Sequence, residues 1–376
     1  VKKNQPRQRK FVSRPKKRSV EQPAPAPKAE SPLYAIEIEV LAGLMPLARD
    51  EIRHRFGDQI TILTETDDML IARYSGRLKS LLALRMVVAI YVIQHFPVPR
   101  PKALLGHQHF HAMIDQIKAI RALHAKDLFE TFRIRAAGEN SSVFARLKSE
   151  LRDYTGLDVE HDADLLLRVR PSVVEANGWE VLTRISPRPL SARAWRVADM
   201  HGALNATIAA AMIELTYPTP DDHFLNIMCG SGTLLIERLL KMTAQLTVGI
   251  DIDDWAISRS VENLEASHQS DNVTLSKMDA TQTSFAPNTF NKIVADLPYG
   301  QKIGSQEDNP QLYAATLLEA AHIGTPDARL VVITHHMKSF ETALDDQLEW
   351  QLERSLQVNQ GGLHPKIYVL TKYADD

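Results

Sequence analysis

Cysteine is almost absent from this sequence. The single Cys229 excludes an intramolecular disulfide framework, a multi-cysteine zinc site and any reaction that needs a thiol pair, as expected of a reducing compartment. Long apolar runs are missing as well. No stretch reaches the roughly 18 to 20 uninterrupted residues that a membrane-spanning helix needs, and the first residues carry no apolar signal segment. A cytoplasmic location without membrane contact is therefore expected. What is present is ample core material: 44% of the 376 residues are hydrophobic, enough for two or three compact domains.

The net charge of −2 conceals an asymmetry. Residues 1–30 hold ten Lys and Arg against Glu21 and Glu30, so this tail carries +8 and the remainder −10. With Pro23, Pro25 and Pro27 behind the basic block and few apolar groups, the tail cannot offset its ordering entropy by burial, and disorder is expected. It serves either as a grip on phosphates that releases counterions or as a solubilising extension.

From Leu33 the patterning is globular. Tyr34, Ile36 and Ile38 alternate as a strand, Leu44 to Phe56 has helical spacing, Ile60 to Leu63 and Met69 to Tyr74 read as strands, Leu78 to Ala83 as a helix, and Val87 to Phe96 as a strand. That is the split βαβ order of a ferredoxin-like unit, assigned to residues 31–104. A second α+β segment, 105–188, follows Pro97, Pro99 and Pro101. It has a helix near His111 to His124, a strand at Thr131 to Ala136, a helix from Val143 to Thr155 capped by Ser141 and Gly156, and strands at Leu165 to Arg170 and Glu180 to Ile185. On a strand, His107, His109 and His111 would share one face and suggest a metal. The surrounding periodicity is helical and scatters them, so no metal is expected.

Residues 189–376 alternate strand and helix, which argues a doubly wound α/β sheet with ligands at the carboxyl ends of its strands. The first of these strands runs into Asn226-Ile227-Met228-Cys229-Gly230-Ser231-Gly232-Thr233, where two glycines let the backbone approach a ligand between strand and helix. Leu235 occupies the place of a third glycine, which disfavours a dinucleotide pyrophosphate; taken alone, the motif also reads as a plain turn. The second strand ends at Asp251-Ile252, about 20 residues on, where a carboxylate accepts both hydroxyls of a ribose, and the third ends at Asp279-Ala280 beside the base. Helix capping explains either acid singly but not their order; together with the glycine loop they form a pocket for an adenosyl group.

The fourth strand ends Asp296-Leu297-Pro298-Tyr299-Gly300. An exocyclic amine on a base has a delocalised lone pair, so alkylating it needs acceptors that hold its protons and favour a pyramidal nitrogen. The Asp296 carboxylate and the Leu297 carbonyl are candidates for those acceptors, Pro298 for shaping the turn and Tyr299 for stacking the base; a simple β-turn is the alternative. Cys229 reads as a packed small hydrophobe, and no other cysteine is available to attack a base.

With these residues in view, the chain resembles the THUMP-domain RNA guanine-N2 methyltransferases. The resemblance is carried by Asn226 to Glu237, Gly249 to Asp253, Asp296 to Ser305, Pro189 to Arg193 at the domain junction, and Gly361-Gly362 with Lys366 to Leu370. It implies an N-terminal ferredoxin-like domain, a THUMP RNA-binding domain over 105–188 and a Rossmann-fold methyltransferase domain over 189–376. It also implies S-adenosyl-L-methionine as cofactor, bound by Asn226, Cys229, Gly230, Ser231, Gly232, Thr233, Asp251, Ile252, Asp279, Ala280 and Asp296. The substrate implied is tRNA, held by its 3′ end and methylated in the acceptor stem at position 6, where Asp296, Leu297, Pro298 and Tyr299 act. Asn226 stands where the family usually has Asp, and Leu297 where it usually has Pro.

Two other readings are compatible with the residues alone: a methyltransferase for ribosomal RNA guanine or another nucleic-acid amine, and an RNA-binding protein whose cofactor site is degenerate. The basic tail makes its own prediction. Deleting residues 1–30 should leave turnover at saturating RNA intact and reduce the log-log salt slope of RNA binding, by roughly 0.7 to 0.9 for each phosphate that the tail neutralises. An unchanged slope in a salt titration makes the tail a solubiliser only.

Overall fold

The structure, a computed structural model, describes residues 1–2, 32–173, 175–298 and 309–373. Nearly all of the basic tail lies outside the described residues, as do Tyr299 and the run from Gly300 to Ser305. β1 (Tyr34–Glu39), α1 (Met45–Phe56), β2 (Ile60–Glu65), β3 (Met69–Tyr74), α2 (Leu78–Leu81) and β4 (Ala89–Phe96) follow the expected order. Their sheet order, β2-β3-β1-β4 with every neighbour antiparallel, is the ferredoxin-like one. Met45, Ala48, Ile52 and Phe56 recur at helical spacing and supply the buried face of α1. α2 is a single turn, shorter than the expected Leu78 to Ala83, because the N–H groups of Leu82, Ala83 and Leu84 close successive three-residue turns instead.

The second segment comprises α3 (His107–Arg121), β5 (Thr131–Ala136), α4 (Ser142–Thr155), β6 (Asp158–Val159), β7 (Leu165–Pro171) and β8 (Trp179–Arg184). α3 starts one turn earlier than expected and takes in the three histidines. His107 and His111 stack at 4.1 Å, whereas His109 meets Phe96 edge-on at 5.6 Å. β8 pairs antiparallel with β4, so the two segments share one eight-stranded sheet, β2-β3-β1-β4-β8-β7-β5-β6. β1 is buried on both faces rather than alternating, since Glu37 is as enclosed as Ile36 and Ile38. The cause is a charge network across three ladders: Arg168 and Arg170 of β7 donate to Glu37 at 3.2 and 2.6 Å, and Arg170 also reaches Glu180 of β8 at 3.0 Å.

The remainder forms α5 (Ala206–Leu215), β9 (His223–Ile227), α6 (Thr233–Lys241), β10 (Leu246–Asp251), α7 (Asp254–Ala266), β11 (Thr274–Lys277), β12 (Phe290–Asp296), α8 (Asn309–Ile323), β13 (Gly324–Thr334), α9 (Met337–Asp345), β14 (Trp350–Gln357) and β15 (Lys366–Lys372). The seven strands order as β11-β10-β9-β12-β13-β15-β14, parallel from β11 to β13. β14 and β15 form a hairpin, with β15 inserted antiparallel between β13 and β14. α9 escaped the sequence reading; its nine residues bury only Phe340, Ala343 and Leu344, too few periods for a clear helical signal. From β9 the chain winds outward through β10 and β11, then crosses to β12. That makes the carboxyl ends of β9 and β12 the topological switch point, where open α/β sheets bind ligands.

The N-terminal sheet is bolted to this domain through Glu237 of α6, whose carboxylate is fully enclosed. Arg85, between α2 and β4, grips it with two 2.7 Å hydrogen bonds, and Arg193 of the junction adds a third at 2.9 Å. Arg193 also donates to the Arg85 carbonyl at 2.7 Å, and the Glu51 carboxylate of α1 accepts the backbone N–H groups of Arg85 and Met86 at 2.9 Å. Glu237→Ala leaves two guanidinium groups without their shared partner. The free energy of unfolding in urea should fall by about 3 to 5 kcal/mol; a change below about 1 kcal/mol would refute the clamp.

Candidate active site

Four adjacent strand ends bring the sequence-derived residues together. After β9 the chain turns sharply, with Met228, Gly230 and Gly232 at φ values of 52°, 54° and 80°, and enters α6. A side chain on Gly232 would press on the Ser260 Oγ of α7 at 3.0 Å, and the left-handed φ of 80° itself favours glycine. The Cys229 N–H donates to the Ile250 carbonyl at 2.8 Å, and the Ser260 hydroxyl donates to the Gly230 carbonyl at 2.7 Å. Cys229 itself is buried, and desolvation with the nearby Asp251 charge pushes its thiol up to about 12, which leaves it inert as a nucleophile.

Asp251, at the end of β10, accepts the Gly230 N–H at 2.9 Å and the Asp253 N–H at 3.0 Å, one on each carboxylate oxygen. Each oxygen retains a lone pair for a further donor. α7 is capped by Asp253, which accepts the Trp255 N–H at 2.9 Å, so capping accounts for Asp253 and leaves Asp251 for the pocket. Ile252 presents an apolar surface 63% exposed. Beyond β11, Asp279 is exposed and receives the Thr281 N–H and hydroxyl at 2.8 and 2.7 Å, both on Oδ1. Ala280 behind it is buried. The Met278 N–H donates to the Asp251 carbonyl at 2.9 Å and so ties the two acidic ends together.

Asn226 is fully buried between β9 and β12; its amide N–H groups donate to the carbonyls of Ile227 and Val294 at 3.1 and 3.3 Å, while its Oδ1 has no partner. The Ser231 Oγ is likewise buried and unpaired, whereas the Thr233 hydroxyl is held by Arg196 at 2.9 Å. Asp296 ends β12 opposite Ile333 of β13. Its side chain is half-buried, and desolvation pushes its carboxyl up to about 7. Leu297 packs its side chain into the core and donates its N–H to the Ile333 carbonyl at 3.0 Å, which leaves the backbone carbonyl to serve as an acceptor. Tyr299 lies outside the described residues.

Several contributors escaped the sequence reading. Asn263 of α7 accepts the Val197 and Ala198 N–H groups at 3.0 and 2.9 Å and donates to the carbonyls of Ala198 and Ser231 at 3.0 Å each, so the junction is tied to the glycine loop. Tyr313 of α8 donates to the Pro298 carbonyl at 2.6 Å. His335 follows β13 at the same edge of the sheet, and burial with the neighbouring His336 lowers its pKa. The partners of Tyr313 and Asn263 lie 15 to 66 residues away, beyond the reach of local patterning.

Residues 193–366 match the UPF0020 family model, an RMKL-like methyltransferase domain. A human protein named tRNA (guanine(6)-N(2))-methyltransferase THUMP3 is 30% identical over 182 residues, which is 45% of this chain and 36% of its own length. This chain thus spans about a third of that relative. The tRNA (guanine(6)-N2)-methyltransferase of Thermus thermophilus is 28% identical over 249 residues, 64% of this chain and 72% of its own. The crystal structure of TrmN from Thermus thermophilus matches at a TM-score of 0.69 and 21% identity over 90% of this chain and 99% of its own, which shows that the fold is shared across the N-terminal sheet as well as the methyltransferase-like domain.

The pocket makes a separable prediction. Asp251→Ala removes the acceptor for ribose hydroxyls and frees the Gly230 N–H. Calorimetry should show affinity for S-adenosylmethionine falling at least tenfold, since each charged hydrogen bond contributes about 1.5 to 3 kcal/mol. Undiminished affinity would remove Asp251 from the pocket.

Proposed function

We propose that the protein transfers the methyl group of S-adenosylmethionine to the exocyclic N2 of a guanine in tRNA, at position 6 of the acceptor stem, and that it does so in the cytoplasm. The observation that carries this reading is Asp296, a desolvated carboxyl at the switch point, one strand from the glycine loop and followed by the buried Leu297, whose carbonyl accepts no hydrogen bond among the described residues. The names of the human and Thermus relatives support the base, the atom and the position.

The residues of the pocket fit the cofactor. Asp251 has lone pairs for the ribose, Ile252 an apolar face for the adenine, and the Gly230 to Gly232 turn open backbone for the methionine portion; the unpaired Asn226 Oδ1 is an acceptor of the kind an ammonium group satisfies. S-adenosylmethionine supplies a methyl group already activated on a sulfonium. The protein's part is to present the amine. Asp296 and the Leu297 carbonyl accept its two protons, drawing the nitrogen towards pyramidal geometry and exposing its lone pair. As the new N–C bond forms and the C–S bond breaks, the nitrogen becomes cationic, and a carboxyl titrating near 7 takes up the surplus proton. The 105–188 segment is assigned the 3′ end of the tRNA, which fixes the distance along the stem to the methylated base; displacing that base from its stack costs a few kcal/mol.

Because Asp296 acts as an ionised acceptor, turnover should rise with pH through about 7 and level off above it. Asp296→Ala should retain cofactor affinity and lose activity on the order of 100-fold or more. Labelled methyl transfer to unmodified tRNA, mapped by nuclease digestion and mass spectrometry, tests both, with product expected at guanine 6 only when the 3′ terminal nucleotides are intact. Product on adenine or cytosine refutes the base assignment. Equal activity on tRNA lacking its 3′ end refutes the measuring role.

A further inference from the structure

Resting on that reading, we propose that Tyr313 is a positioning residue that aims the Leu297 carbonyl at the target amine. Tyr313 is fully buried on α8, where its ring meets Phe340 edge-on at 6.1 Å. A phenylalanine would pack equally well, so the hydroxyl needs a reason of its own. That hydroxyl lies 2.6 Å from the Pro298 carbonyl and 3.2 Å from the Thr334 Oγ1, which accepts the His336 N–H at 3.1 Å. The chemistry of the four groups fixes a direction. The His336 N–H can only donate, so Thr334 accepts there and has its own proton for Tyr313; the Pro298 carbonyl can only accept, so the Tyr313 proton goes to it. Donation runs one way from the end of β13 to the turn after β12, and each bond in such a chain strengthens the next.

The consequence falls on the neighbouring carbonyl. Leu297 and Pro298 share a peptide group that has no N–H, and the proline ring restricts φ on its far side. Upstream, the Leu297 N–H is tied to the Ile333 carbonyl at 3.0 Å; downstream, the Pro298 carbonyl is tied to Tyr313. With both flanking peptide planes held, rotation of the Leu297 carbonyl is blocked. Among the described residues none donates to it. It is thus an acceptor that is held in place and left open, beside a carboxylate on the adjacent residue. Two acceptors fixed at one spacing are what an amine with two protons requires, and an error on the order of 1 Å in such placement can lower a rate by about two orders of magnitude.

The test is Tyr313→Phe in the full-length protein, assayed with S-adenosylmethionine and unmodified tRNA. The maximal rate should fall about tenfold, equivalent to one misaligned hydrogen bond in the transition state. The KM for tRNA, the dissociation constant for the cofactor and the thermal midpoint should stay close to wild type. Thr334→Val, which leaves the Tyr313 proton in place but removes the group that orients it, should show a smaller loss confined to the same parameter. An unchanged maximal rate in Tyr313→Phe overturns the proposal. So does a loss shared by rate, cofactor affinity and thermal midpoint, the pattern of a merely structural residue. An inactive wild-type protein instead refutes the guanine methylation reading, whereas an active wild type with an equally active Tyr313→Phe refutes the positioning role alone.

Discussion

A carboxylate enclosed as completely as that of Glu237 persists only while its charge is matched, and the two groups that match it come from distant parts of the chain. Arg85 belongs to the N-terminal sheet and Arg193 to the junction, whereas Glu237 sits one turn into the helix that begins at the glycine loop. One buried charge therefore holds three things in register: the N-terminal sheet, the junction and the glycine-loop backbone. The neighbouring contacts repeat the pattern. Asn263 uses donors and acceptor together to join the junction to Ser231, Arg196 spans Leu204 and Thr233, and the Asn359 N–H reaches the Ala42 carbonyl at 2.9 Å from the far end of the chain.

The N-terminal sheet applies the same device within itself. Glu37 faces the side of β1 opposite Ile36 and Ile38, where a polar residue normally meets solvent, yet it is buried because Arg168 and Arg170 lie across it and Glu180 balances them. Ladder pairing between β4 and β8 makes the sheet continuous, and this network carries charge pairing from β1 to β7 and β8 across it. Arg168 also stacks on the Tyr91 ring at 4.1 Å, so its guanidinium is oriented by an aromatic face as well as by carboxylates.

Much of this was legible in the residues. Period-two and period-3.6 patterns located most elements of both sheets, and the succession of glycine loop, acid, acid and Asp-Leu-Pro placed the site at four strand ends, since in a parallel sheet every strand delivers its carboxyl end to one edge. Misses arose where a local rule was outweighed. Glu37 reads as a solvent-facing position because alternation is a statement about one strand, whereas its burial is decided by arginines 131 and 133 residues away. Tyr313 carries no local mark of a role, since its ring is simply core; only the contact with Pro298 shows a use for the hydroxyl. Asn226 reads as a weak replacement for an acid, and its geometry explains how an amide is accommodated. One end of the amide donates to the carbonyls of Ile227 and Val294, a bonding that a carboxylate cannot offer, and the other end stays an open acceptor.

The desolvation of Asp296 works against the fold. Its carboxyl ordinarily titrates at 3.8 and is pushed up to about 7 by desolvation. Between those values the unfolded chain has released a proton that the folded protein retains, so stability falls as pH rises through that window, and the deficit is complete above about 7. Near neutral pH the native state therefore holds, at the switch point, an acid poised between its two forms. The strain is confined by what surrounds it: the Leu297 N–H on Ile333, the Pro298 carbonyl on Tyr313, and Asn226 bridging β9 to β12 beneath. Each of these bonds fixes backbone rather than the carboxylate, so among the described residues desolvation is the influence that sets the Asp296 titration.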